Sequence, residues 1–138
     1  MIQTHKFTTK NGLRVLLVKR PEKYTVGVSF LINAGSIYEN KETSGISHFF
    51  EHLFFGGTKN FPTEEILRER FQETGAYYGA RTLQDMIEVY GTFPKSATKE
   101  SLNILKEMIF QSLLKKDVIE KERQVILSEI KMRKDDNY

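Results

Sequence analysis

His48, Glu51 and His52 fall together in the stretch SGISHFFEHLFFGG, which holds two of the chain's three histidines. Four residues is close to one helical turn, so in a helix both imidazoles project from one face. Two imidazole nitrogens so placed can share a single metal ion, with the Glu51 carboxylate beside them to take a proton. The pattern H-x-x-E-H is the reverse of H-E-x-x-H, and both spacings serve zinc hydrolases. The competing explanation is a pair of ordinary histidines with a solvated glutamate. Ile46, Phe49, Phe50, Leu53, Phe54 and Phe55 surround the three. Burying a carboxylate in such company without a partner is costly, so the sequence favours a metal site.

A catalytic zinc takes three protein ligands and keeps a position for water. His5 is the remaining histidine, but it lies in a strand-like segment that looks distant, so the third ligand is expected to be a carboxylate. The last helical segment offers two. At 100° per residue, Val118, Ile119, Val125, Ile126 and Ile130 share one apolar face, with Glu122 and Glu129 in its middle. A carboxylate centred on such a stripe reads as a ligand or as the support of one. A buried ion pair to Arg70 or Arg81 is the alternative.

The elements that must carry these residues follow from periodicity and turn chemistry. Strands are expected at 4–9 and 13–19, flanking the hairpin signal Asn11-Gly12, and at 25–33. A turn-rich loop leads to the histidine helix, with Thr43 or Ser44 as its cap and Gly56-Gly57 at its end. A second helix runs through FPTEEILRERFQETG with Thr63 as N-cap, and strands follow near 76–82 and 86–93. From Thr98 the pattern is helical, with Leu102, Leu105, Met108, Ile109 and Leu113 in one stripe. Asp117 opens the last helix with a capping box to Glu120. Strands interleaved with helices predict an α+β fold, a largely antiparallel sheet with helices packed on one face.

That last helix runs into KMRKDDNY with nothing after it to pack, so the expectation is a domain cut short. Residues 1–138 would then be the N-terminal portion of a single domain. The length of 138 residues, with 39% hydrophobic and 28% charged content, suits one globular unit. The net charge of +3 is modest, and basic runs such as KKDVIEKER carry acids at helical spacing, so no nucleic-acid partner is expected. The absence of cysteine excludes disulfides and thiolate metal sites. No apolar run approaches the ~18 residues that span a membrane, and MIQTHKFTTKNG has neither a signal core nor a transit-peptide composition. The expectation is a cytoplasmic protein without a membrane partner.

NAGSIYE ahead of the motif, GISHFFEHLFFGGT around it and ERQVILSEI at 122–130 resemble the pitrilysin family of zinc metallopeptidases, which includes insulin-degrading enzyme and the mitochondrial processing peptidases. The resemblance covers nearly the whole chain. It implies one Zn2+ bound by His48, His52 and Glu129. Glu51 would be the catalytic general base, with Glu122 as an accessory catalytic glutamate. The activity implied is that of a zinc-dependent endopeptidase acting on extended or unfolded peptides, which would add a strand beside GAYYGARTLQD. Gly79, Ala80 and Arg81 are the substrate-binding candidates there, Gly79 standing where family members commonly carry asparagine. Members of the family pair two homologous halves around a chamber, which implies a second half or subunit as partner. The alternative is a truncated, non-catalytic zinc-binding fragment or subunit. Alone, the 138-residue piece is expected to bind zinc weakly, to self-associate and to cleave little.

Overall fold

Gly12 turns the chain at the first hairpin with a φ of 87°. It joins β1 (Gln3–Thr8) to β2 (Arg14–Lys19), paired antiparallel from Gln3↔Lys19 to Thr8↔Arg14. The connection is wider than a two-residue turn because Thr9 closes it further out. Its N–H donates to the Leu13 carbonyl at 2.9 Å, and its hydroxyl accepts from the Leu13 N–H at 3.0 Å. The structure, a computed structural model, describes residues 3–135, with side chains through Arg133. The end of KMRKDDNY lies outside the described residues.

β3 (Thr25–Ile32), β4 (Tyr77–Thr82) and β5 (Ile87–Pro94) form a second antiparallel sheet in the order β3-β5-β4. The one sheet expected is therefore two among the described residues. Only Val15 is even partly covered in β1 and β2, so no apolar face draws the hairpin onto the larger sheet.

Alternation along β3 and β5 sets the core. Val26, Val28, Phe30 and Ile32 pack on the cluster built around Ile87, Val89 and Phe93. On the same face, α2 (Glu64–Glu73) contributes Leu67 and Phe71, and α3 (Thr98–Phe110) contributes Ile104, Leu105 and Met108. Phe54, just past α1 (Ile46–Leu53), completes it. Phe71 is fully buried and stacks on Tyr78 of β4, with 3.7 Å between ring centres. Burying a phenylalanine side chain contributes about 1.5–3 kcal/mol. Glu88, Tyr90 and Arg81 lie on the opposite face of the sheet, outside this core. This is the α+β layer that the strand and helix pattern predicts.

Two helix ends differ from expectation. Leu113 lies beyond α3, because its N–H donates to the Gly57 carbonyl at 3.1 Å while Ser112 bridges to Thr58. α4 spans Lys116–Asp135 and so begins before Asp117. Its hydrogen bonding has started already, since the Ile119 N–H donates to the Lys115 carbonyl at 2.9 Å. Asp117 sits inside the first turn and not at a capping box, where its charge still complements the helix dipole. Of the predicted α4 stripe, Ile126 is buried whereas Val125 and Ile130 are exposed.

A buried carboxylate holds the turn after α1. Glu107 of α3 is 2% exposed. It accepts from the Thr58 hydroxyl at 2.9 Å, the Asn60 side-chain amide at 2.6 Å and the Asn60 N–H at 3.3 Å. Burial pushes this carboxyl up, but the hydrogen bonds from Asn60 and Thr58 outweigh it and hold it below the usual glutamate range.

Candidate metal centre

α1 starts without the cap expected of Thr43 or Ser44. Thr43 is used in its own turn, its hydroxyl accepting from the Asn40 N–H at 2.9 Å. Gly45 enters the helix in the left-handed region, and Glu39 takes the free backbone donors. Its two carboxylate oxygens accept from Gly45 N–H at 2.7 Å and Ser47 N–H at 2.9 Å. Burial raises the Glu39 carboxyl, and these bonds more than offset it, holding the group below its usual range. A negative charge at a helix N-terminus is also favoured by the dipole. At the other end, a Cβ on Gly56 would meet Val118 Cγ1 at 2.5 Å. The missing side chain lets α4 close on the end of α1.

This packing sets His48 and His52 against Glu129. His48 Nε2 lies 3.7 Å from one Glu129 oxygen, and His52 Nε2 lies 3.9 Å from the other. The imidazoles are edge to face, with centres 4.9 Å apart. Ligand atoms of the three residues lie within 4.8 Å of one another. Two atoms that each stand about 2.0–2.2 Å from one ion are at most about 4.4 Å apart. Closing on zinc thus asks only for small side-chain movement, and two nitrogens with one oxygen suit that ion. The residues fit the metal.

Glu122 contacts a proposed ligand instead of joining the group. Its Oε2 lies 3.0 Å from His52 Nδ1, which leaves Nε2 of that ring free to face Glu129. A carboxylate on the far nitrogen fixes the tautomer and orientation of a metal-binding histidine. With a metal bound, this contact would make Glu122 a positioning residue. Neither Arg70 nor Arg81 forms the buried ion pair weighed from the sequence. Arg70 pairs with Glu73 and Glu100, and Arg81 pairs with Glu88.

Glu51 stands outside the His-His-Glu group and accepts a hydrogen bond from the Thr82 hydroxyl. It shares with His52, Phe55, Glu64 and Glu122 the lining of an open cleft of about 290 Å³. Thr82 escaped the sequence reading, although period-two alternation with Tyr78 and Ala80 places it on the packed face of β4. Glu39 was also missed as a cap, because it acts from outside the helix.

The substrate-binding candidates are divided between faces. Ala80 packs toward the core, whereas Gly79 and Arg81 lie on the opposite face beside Tyr90 and Glu88. Arg81 donates from Nε to Glu88, and Ser29 donates to the other Glu88 oxygen. Among the described residues, no helix is long and apolar enough to cross a membrane.

A His-His-Glu group held by two helices over an antiparallel sheet defines a metal-binding domain of the zinc-hydrolase type. Residues 14–137 match the model of the insulinase family, peptidase family M16. The chain belongs to that family of zinc proteases. It is 34% identical over 130 residues to a Bacillus subtilis protein named "uncharacterized zinc protease YmxG", covering 94% of this chain and 32% of that one. It is 35% identical over 127 residues to the probable mitochondrial-processing peptidase subunit beta of Schizosaccharomyces pombe, covering 92% and 28% respectively. Among solved structures, a protease from Helicobacter pylori superposes with a TM-score of 0.89 at 30% identity, covering 98% of this chain and 32% of that one. Pitrilysin superposes with a TM-score of 0.83 at 26% identity, covering 96% and 14%. The chain thus spans about a third or less of the length of these relatives.

Proposed function

We propose that this chain carries the zinc site of an endopeptidase that cleaves extended peptide segments, as the N-terminal portion of a single metallopeptidase domain. The observation that carries the reading is the convergence of His48, His52 and Glu129 with Glu51 left outside the group. His48, His52 and Glu129 would hold the metal. When bound, zinc supplies a Lewis acid and lowers the pKa of water from ~15.7 toward ~7.

The remaining work falls to the chain. Glu51, steadied by Thr82, takes a proton from the attacking water as its oxygen bonds to the scissile carbonyl carbon. It returns that proton to the amine as the carbon–nitrogen bond breaks. Glu122 holds His52 through Nδ1. Among the described residues β4 has a neighbour on one side only, so its other edge offers backbone groups to an extended substrate.

The test is a set of variants of the complete protein its gene encodes. Glu51→Gln removes a base and no ligand, so zinc content stays near normal while peptide hydrolysis falls by about 100-fold or more. His48→Ala and Glu129→Ala lower both. Substantial turnover in Glu51→Gln would move the base elsewhere, with Glu122 the first alternative.

A second reading, a zinc-binding part that needs a partner half or subunit to act, is favoured by the small share of each relative that the chain covers. It predicts zinc loading by residues 1–138 without cleavage until the partner is supplied.

A further inference from the structure

Gly79 and Tyr90 stand directly opposite each other on β4 and β5. The Tyr90 ring lies across Gly79: a Cβ there would meet the phenol oxygen at 2.7 Å and Cζ at 2.8 Å. A tyrosine side chain is longer than the roughly 4.8 Å between paired strands. Laid flat, it carries its hydroxyl from β5 onto the edge strand, into the space a residue-79 side chain would fill. Tyr77 flanks it, with ring centres 6.1 Å apart, and the Arg81 guanidinium lies 6.0 Å from the ring centre on the other side. Arg81 is engaged by Glu88. The Tyr90 phenol is held above its usual range, first by the neighbouring Tyr77 side chain and then by burial. A phenol hydroxyl offers one proton and acceptor lone pairs to a neighbouring polar group.

We propose that Tyr90 is a specificity-determining residue, its hydroxyl selecting a hydrogen-bonding side chain at the substrate residue that pairs opposite Gly79. This rests on the reading above, in which a peptide adds to the free edge of β4. Side chains directly across an antiparallel pair have Cβ atoms about 4.5–5.5 Å apart, so that residue abuts the phenol. A glutamine there replaces the water that the hydroxyl loses. A methionine of similar length covers the hydroxyl and leaves it without a partner, which costs binding. The expected preference is about three- to tenfold.

The experiment scans glutamine against methionine at each position of an unstructured peptide. It uses the complete protein and measures kcat/KM, together with peptide binding to the Glu51→Gln form by fluorescence anisotropy. One position should favour glutamine in both measurements. Tyr90→Phe should abolish that preference at that position alone, bringing the two peptides level. Gly79→Ala should do the same by displacing the ring. A preference that survives Tyr90→Phe, or a loss shared equally by every peptide, overturns the assignment. Absence of peptide binding and zinc-dependent cleavage by the unsubstituted protein would overturn the peptidase reading, and this inference with it.

Discussion

At the scale of single residues, the proposed site would depend on a carboxylate outside its ligand set. Glu122 holds His52 Nδ1 from 3.0 Å, and its own side chain is 15% exposed. Removing such support typically costs 10–100-fold in metal affinity or activity. Glu122→Ala should therefore weaken zinc binding by about 10–100-fold in competition with a chromophoric chelator, with Glu122→Gln falling between it and the unsubstituted protein. An unchanged affinity in Glu122→Ala would remove the positioning role. His48, Glu51 and His52 are legible in the sequence because helical periodicity alone puts the imidazoles on one face. Periodicity does not divide the labour between Glu122 and Glu129; the family resemblance alone implies which would be the ligand. Both lie on the same face of α4, and only their position along it separates the proposed ligand from its proposed support. Tyr90 was equally hidden, since a ring crossing a neighbouring strand depends on register and on a glycine opposite.

At the scale of elements, the placement of α1 depends on what binds its two ends. Glu39 holds the start, and Glu107 reaches from α3 to the turn that follows. Glu107 has a folded pKa below its ordinary value, so its contribution is present above that ordinary value and is lost as pH falls through the folded one. Glu107→Gln should destabilise the fold by about 1–3 kcal/mol near neutrality, read by urea denaturation of the complete protein. The difference between the two proteins should shrink in acid. A gap that persists or widens as pH falls would show that the charged form is not what matters. Alternation and turn residues made β3, β4, β5 and α2 legible, Thr63 included, whose hydroxyl accepts from the Ile66 N–H at 3.3 Å. The α1 cap was not, because Glu39 comes from a loop and no local spacing announces it. Nor was the buried role of Glu107, which in a helix pattern looks like one more solvated acid. The split into two sheets was hidden for another reason: a hairpin signal specifies its own pairing and not its neighbour.

At the scale of the molecule, the proposed ligands come from distant parts of the chain. α1 precedes α2, β4, β5 and α3, and α4 follows them all. A zinc ion held by His48, His52 and Glu129 would join the two helices across that whole span. An ion that binds the folded form and not the unfolded one stabilises by RT ln(1 + [L]/Kd), about 2.7 kcal/mol at one hundred times Kd. Chelation should lower the melting temperature of the complete protein, re-addition of zinc should restore it, and Glu129→Ala should blunt both responses. Equal melting curves with and without metal would detach the ion from the fold. The same separation has a consequence during synthesis. The two histidines leave the ribosome well before Glu129, so in the proposed site a growing chain would first offer an imidazole pair, and an ion held there would keep positions open to any competing donor in the cell. Full capture of the ion would have to wait until α4 has emerged and docked beside Gly56, which would make the zinc content of nascent chains a marker of how late that docking occurs.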